Sequence, residues 1–167
     1  MNATTLYSAR RSDFSRWAGG LFPAMLIALA IVISACGGSS SDQPEVDATT
    51  GLTAAQMEKG IGPVSQLDLG DIDPQLVATG EAAFTMKCSA CHKMSERYVG
   101  PALGTVVDKR APEYIMNMML NPAEMVERHP EARAMLAQFM TPMPNQNLTQ
   151  EEARAILEYL RSVKETL

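Results

Sequence analysis

The stretch Cys88-Ser89-Ala90-Cys91-His92 decides how the rest of this 167-residue chain is interpreted. Two cysteines three residues apart are followed at once by a histidine, which is the C-x-x-C-H pattern of covalent haem attachment. This spacing places both thiols against the two vinyl groups of a haem, and the adjacent imidazole then lies under the iron. The motif predicts one covalent haem c, attached at Cys88 and Cys91, with His92 as an axial iron ligand.

Two other uses of the motif lack the necessary parts. A structural zinc site needs about four cysteine or histidine ligands, and outside the motif the chain offers only Cys36 and His129. A thioredoxin-like redox pair is expected beside a βαβ pattern, and no stretch of the sequence alternates as such a strand does. Haem attachment is therefore the favoured interpretation.

The first 35 residues have the layout of a targeting segment. Three arginines precede an apolar run over residues 21–33, which is too short to span a membrane comfortably, and small residues then lead to Cys36. This arrangement resembles a bacterial lipoprotein signal peptide with its lipobox. The resemblance implies cleavage before Cys36, acylation of that residue, and a protein lipid-anchored to a membrane on the periplasmic side of the cell envelope. The alternative is an uncleaved N-terminal helix with an incidental cysteine.

Composition divides the remaining chain into three parts. Residues 36–50, which begin at the lipidated cysteine, are small and polar and predict a flexible tether. Residues 51–70 predict an extended arm with one helical turn at 53–58, or else a disordered continuation of the tether. Residues 71–167 form the predicted globular domain, which carries the haem motif.

The charge balance limits the choice of partners. Loss of residues 1–35 would take the formal net charge from −5 to −7, because that segment holds three basic side chains and one acidic one. A strongly acidic chain is not expected to bind nucleic acid. The balance favours a partner with a basic docking rim, unless it serves solubility alone.

Three further motifs resemble those of bacterial class I cytochromes c. A helix predicted from Asp73-Pro74 to about Lys87 carries G-x-x-x-F before the cysteine motif, a G-P-x-L segment follows that motif, and a Met-Pro loop precedes a capped last helix with I-x-x-Y-L. The residues concerned are Gly80, Phe84, Gly100, Pro101, Leu103, Met143, Pro144, Ile156, Tyr159 and Leu160.

The resemblance implies that residues 71–167 are a cytochrome c domain. Its all-α cytochrome c fold would have about five short helices around one haem, plus an additional helix before the Met-ligand loop. The resemblance also implies that the first and last helices cross at Gly80 and Tyr159, with Ile156, Tyr159 and Leu160 packed on Gly80 and Phe84. The Pro101 carbonyl would hold the other ring nitrogen of the axial imidazole, and Leu103 would pack against the haem.

The sixth coordination position has several candidates. Met143 is favoured because it lies in a proline-stiffened loop just before the last helix, where the family keeps its axial methionine. Met140 and His129 are the alternatives, although His129 is expected at the surface before Pro130. The remaining methionines of interest lie at helical spacing and are predicted to fill the core, namely Met116, Met118 and Met119.

Histidine and methionine ligation leaves the iron no open position, which predicts an electron carrier and not an enzyme. The sequence looks like the lipoprotein cytochromes that serve haem-copper oxidases or nitrous-oxide reductase. That likeness implies a monomer that takes single electrons from a quinol-oxidising respiratory complex, through transient contacts with its donor and acceptor. The alternatives are a gas or peroxide sensor or peroxidase-like enzyme with a displaceable methionine, and a haem subunit of a larger respiratory complex.

Overall fold

The computed structural model describes residues 44–166, and seven helices form its regular structure apart from one isolated bridge between Val46 and Thr53. This confirms the predicted all-α class. The helices are α1 (Ala54–Lys59), α2 (Pro74–Lys87), α3 (Val106–Lys109), α4 (Pro112–Leu120), α5 (Pro122–Arg128), α6 (Pro130–Phe139) and α7 (Gln150–Thr166). The count exceeds the five expected, partly because α3 is a single turn that no sequence pattern predicts.

Proline begins four of these helices, α2, α4, α5 and α6. Its fixed φ suits the first helical position, where the missing N–H would have no intrahelical partner. At α2 the Asp73 carboxylate also accepts from the N–H groups of Gln75 and Leu76. A proline of this kind therefore separates α5 from α6, as the sequence predicts.

Helices α2 and α7 approach each other closely at Gly80. A Cβ added at Gly80 would overlap the carbonyl group of Ala155 and lie 2.9 Å from the amide nitrogen of Ile156. Only glycine fits so near another backbone. The prediction that the helices cross at Gly80 and Tyr159 is wrong by one helical turn. The predicted packing of Tyr159 on Phe84 is confirmed, with ring centroids 5.5 Å apart, because both side chains lie one turn further along their helices.

Residues 51–70, the arm, pack along the domain in the structure. Leu52, Ile61 and Val64 are buried, and the helical turn predicted at 53–58 corresponds to α1. The side chain of Asn117 on α4 accepts from the Val64 N–H at 2.9 Å and donates to the Val64 and Lys59 carbonyls. The arm is thus fixed to α4 by hydrogen bonds to its irregular backbone.

The end of the predicted tether also has local structure. The Asp47 carboxylate accepts from the backbone and hydroxyl groups of Thr49 and Thr50 and forms a capped turn. This differs from a structureless linker because one carboxylate serves four donors. The predicted signal peptide, Cys36 and the tether up to residue 43 lie outside the described residues. Within residues 44–166, no helix is both long and apolar enough to cross a membrane.

Candidate haem site

The cysteine motif forms a tight turn at the end of α2. The N–H groups of Cys91 and His92 both donate to the carbonyl of Cys88, at 3.0 and 2.9 Å. Cys88 is itself anchored to α2 by its N–H bond to the carbonyl of Phe84. The turn brings both cysteines and the histidine to the same cavity, and both cysteines are free thiols.

The imidazole of His92 is oriented by the segment that follows the motif. Its Nδ1 lies 3.0 Å from the Pro101 carbonyl oxygen, which is the contact expected from the sequence. A carbonyl can only accept, so Nδ1 carries the proton and Nε2 keeps the lone pair that binds a metal. A Cβ at Gly100 would lie 2.5 Å from Cε1 of this ring, so glycine is required where the backbone crosses the imidazole.

The cavity beside the motif has a volume of about 780 Å³. That volume lies in the upper part of the range for small-molecule and cofactor sites, about 300–1,000 Å³. Helices α2, α4, α6 and α7 all contribute to its walls, together with the loops after the motif and before α7. Its apolar lining includes Phe84, Leu103, Val106, Ile115, Ile156 and Leu160. Leu103, which the resemblance predicts to pack against the haem, is thus one of the lining residues.

The methionines divide into those inside the cavity and those outside it. Met143 lines the cavity and is partly buried. Met140 is 82% exposed and is not among the lining residues. Met118 and Met119 also line the cavity from helix α4, and Met135 does so from α6. Of the cavity-lining methionines, only Met143 lies in a loop; Met116 is buried in the core, as expected.

His129 is not at the surface, contrary to the sequence prediction. Its side chain is fully buried between α5 and α6. Nδ1 accepts from the Glu131 N–H and caps α6, while Nε2 lies 3.1 Å from the Met57 carbonyl oxygen. Both ring nitrogens are therefore used within the protein, and His129 is not among the residues that line the cavity. Pro130 in the sequence predicted the helix break. It did not predict that the arm would cover His129.

Charge is distributed unevenly around the site. The charged residues that line the cavity are all basic, although the chain carries a net charge of −5. They are Lys87, Arg97, Lys109 and Arg110. Overall charge therefore does not indicate the sign of the side chains that line the cavity. Among the thiols, burial raises the pKa of Cys88 above its ordinary value.

These features together fit a haem. The cavity is large and mostly apolar, and two thiols, a metal-binding imidazole and several basic side chains line it. One lining side chain, Tyr114, has a buried hydroxyl with no hydrogen-bond partner among the described residues. In the described part of the chain, no group of three or more histidine, cysteine, aspartate or glutamate residues could hold a metal ion.

Sequence reasoning did not identify three of the residues that build the site. Gly100 was expected only as part of the G-P-x-L segment, although its missing side chain makes room for the imidazole. Met135 and Tyr114 line the cavity from helices whose pattern indicates only burial. The G-P pair beside a haem motif could have indicated the first. No spacing signal points to the other two, because their positions depend on how α4 and α6 pack.

Comparison with known proteins gives concordant matches. The cytochrome c family model matches residues 77–164. The chain is similar to cytochrome c-551 of Stutzerimonas stutzeri, with 33% identity over 94 residues that cover 56% of this chain and 85% of the relative. It is also similar to the solved cytochrome c from Rhodothermus marinus, with 46% identity and a TM-score of 0.65, covering 68% of this chain and 98% of that one. An engineered form, Rma TDE, matches with 46% identity and a TM-score of 0.63, covering 66% and 97%.

Proposed function

This chain belongs to the cytochrome c family, and we propose that it is a lipid-tethered, monomeric carrier of single electrons in a respiratory chain. Proteins of the family bind haem c covalently and transfer electrons. The proposed donor is a quinol-oxidising respiratory complex. The proposed acceptor is a terminal reductase, either a haem-copper oxidase or nitrous-oxide reductase, reached through transient contacts.

The observation that carries the proposal is the shared cavity of Cys88, Cys91, His92 and Met143. The two thiols would form the thioether bonds, and His92 and Met143 would supply the axial ligands. When bound, the haem iron supplies a change of oxidation state by one electron. The Pro101 carbonyl keeps the imidazole of His92 oriented and raises its basicity.

The ligand pair distinguishes a carrier from an enzyme or a gas sensor. A methionine thioether with a histidine raises the reduction potential and leaves the iron no open position for oxygen, peroxide or carbon monoxide. Met143 is suited to this role because prolines flank it on both sides in a loop. Met118, Met119 and Met135 belong to helices, and Met118 and Met119 pack in the two core clusters.

Replacement of Met143 by alanine tests the ligand assignment. We expect Met143→Ala to lose the methionine-to-iron charge-transfer band of the ferric protein, to lower its reduction potential, and to allow prompt carbon monoxide binding when reduced. Met140→Ala is the matched control and should keep the parent spectrum. Retention of the band in Met143→Ala would refute the assignment. Prompt carbon monoxide binding by the unmodified protein would favour a sensor.

The carrier role needs a separate test with redox enzymes. Reduced protein is mixed with a purified haem-copper oxidase or with nitrous-oxide reductase, and its oxidation is followed by the haem absorbance. Oxidation by one of them above the background rate supports the proposal. If neither enzyme oxidises it faster than background, the proposed acceptors are wrong. A complex with either enzyme that survives high salt would favour a permanent subunit.

The tether rests on the lipobox-like stretch that ends at Cys36. Cells that express the parent and Cys36→Ser are grown with labelled palmitate and separated into membrane and soluble fractions. We expect label and membrane association in the parent only, and a soluble holoprotein in the variant. If the parent takes up no label and associates with the membrane to the same extent as Cys36→Ser, Cys36 carries no lipid.

A further inference from the structure

Arg97 lies in the segment that follows the cysteine motif, and backbone hydrogen bonds fix this segment to the motif. The Gly100 N–H donates to the Cys91 carbonyl at 2.8 Å, and the Tyr98 N–H donates to the Gly100 carbonyl at 3.1 Å. The backbone at Gly100 also crosses the imidazole of His92. The backbone next to Arg97 is therefore held by the turn that carries the attachment cysteines and the histidine ligand.

The side chain of Arg97 reaches from this segment to the end of α6. Its Nη2 donates to the carbonyl of Gln138 at 3.0 Å, and its guanidinium carbon lies 4.4 Å from the centroid of the Phe139 ring. Carbonyls in the last turn of a helix have no intrahelical partner, and a cation there also opposes the helix dipole. One side chain thus makes a polar contact and a cation–π contact with the last two residues of α6.

The loop that starts where α6 ends carries Met143. The chain leaves α6 at Met140, which has a left-handed φ of 57°, and Met143 follows three residues later. In the described part of the chain, residues 141–148 make hydrogen bonds only within the loop itself. Thr149 holds the far end of the loop by capping α7. The position of Met143 therefore depends on how the end of α6 is held.

We propose that Arg97 is a positioning residue that holds the end of α6, and with it the Met143 loop, closed over the haem cavity. Arg97, Gln138, Phe139 and Met143 all line that cavity. The contact joins the side of the cavity that supplies His92 to the side that supplies Met143. Loss of the contact would let Met143 leave the iron more often and admit external ligands. The inference rests on the proposed role of Met143 as an axial ligand.

Ligand exchange in the full-length ferric holoprotein tests this role. Imidazole binds the iron only after Met143 leaves, so at high imidazole concentration the observed rate reaches a limit set by that release. We expect Arg97→Gln to raise the limiting rate about fivefold, the size expected from one exposed charged hydrogen bond and one cation–π contact. Arg97→Lys keeps the charge and a donor and should restore most of the parent rate. Arg133→Gln is the matched control on α6, because Arg133 is an exposed arginine of that helix, and it should leave the rate unchanged.

The outcomes separate the positioning role from the ligand assignment. An unchanged limiting rate in Arg97→Gln, or an equal rise in Arg133→Gln, would overturn the positioning role alone. In the Met143→Ala background, Arg97→Gln should no longer accelerate imidazole binding. An undiminished effect there would show that Arg97 acts on access to the cavity and not on Met143, which also overturns the proposal. If the rate of the parent rises with imidazole concentration without a limit, Met143 is not bound to the iron, and the ligand assignment fails together with this proposal.

Discussion

The two sides of this domain are held together by different interactions. On one side, α2 and α7 approach until the backbone at Gly80 meets that at Ala155, and Phe84 packs on Tyr159. On the other side, residues 51–70 have little regular structure and are fixed mainly by side chains of the helices. Asn117 on α4 makes three hydrogen bonds to the backbone of this arm.

The contrast follows from where backbone hydrogen bonds are made. A helix satisfies its own N–H and C=O groups, so α2 and α7 need only complementary apolar surfaces. An irregular segment cannot do this, and its buried backbone groups need partners from elsewhere. On α7, Arg154 and Arg161 donate to the carbonyls of Asp68 and Gly70, and both pair with the buried Glu158. The arm therefore depends on a few polar side chains.

The largest expected loss of stability comes from adding a side-chain carbon where α2 and α7 cross. In Gly80→Ala the new Cβ would overlap the Ala155 carbonyl, and backbone cannot move aside as a flexible side chain does. We expect the free energy of unfolding of the holoprotein to fall by about 3 kcal/mol or more, as in severe overpacking. Guanidinium unfolding followed by helical circular dichroism measures it.

Gly70→Ala is the matched control for that substitution. A Cβ at Gly70 would meet nothing within 4 Å, so its unfolding free energy should stay within about 1 kcal/mol of the parent. Equal losses in the two variants would show that the close crossing does not explain the need for glycine at residue 80.

Asn117→Ala removes the hydrogen bonds that attach the arm to α4. Removal of the amide leaves the Val64 N–H and the carbonyls of Val64 and Lys59 without this partner. We expect a loss of about 2–3 kcal/mol, from three hydrogen bonds and buried groups left unpaired. Hydrogen exchange should also accelerate much more at Val64 than at the amides of α2.

The exposed Asn145 offers a control, because it bonds only locally to the Asn147 N–H. Asn145→Ala should leave both the stability and the Val64 exchange rate close to those of the parent. If Asn117→Ala instead accelerates exchange equally in α2 and in the arm, the two sides unfold as one unit. The two sides would then differ in the contacts that hold them but not in their local stability.

The sequence predicted the helices and the haem motif better than the contacts of the arm. The reason is again that helices make their hydrogen bonds locally, whereas the arm depends on distant side chains. The helix of Pro74–Lys87, the capping box between Thr149 and Glu152, and the break before Pro130 depend on neighbours along the chain. Such signals are local and are visible without a fold. The contact of His92 with Pro101 spans only nine residues and was expected from the family motif.

The arm contacts offered no such signal. Asn117 and Val64 are 53 residues apart, and His129 and Met57 are 72 residues apart. An asparagine inside a methionine-rich helix has no pattern that names its partner, and His129 before a proline suggested exposure. The family model also begins at residue 77, after the arm. The error at Tyr159 was different, because helical spacing fixes the face but not which turn meets the other helix.

The smallest expected effect concerns the charge that joins the arm to α4. The Glu113 carboxylate lies 3.1 Å from the Lys59 ammonium and accepts from the Leu67 N–H at 3.2 Å. Burial alone would raise the pKa of Glu113, but hydrogen bonds from its own N–H, Lys59 and Leu67 outweigh this, so the pKa lies below the ordinary 4.5. A lowered carboxyl pKa stabilises the fold above that value, and the stabilisation is lost as the pH falls through the folded-state pKa.

Glu113→Gln isolates this charge, because the amide oxygen still accepts from the Leu67 N–H. The parent should exceed the variant by about 0.5–1 kcal/mol in unfolding free energy at pH 7. The difference should shrink below pH 4.5, the ordinary value, and vanish once the carboxylate is protonated in both states. Urea unfolding at several pH values measures this, with Glu45→Gln on the exposed segment before the arm as the control. A difference that stays constant with pH would mean that shape, and not charge, holds the arm at Glu113.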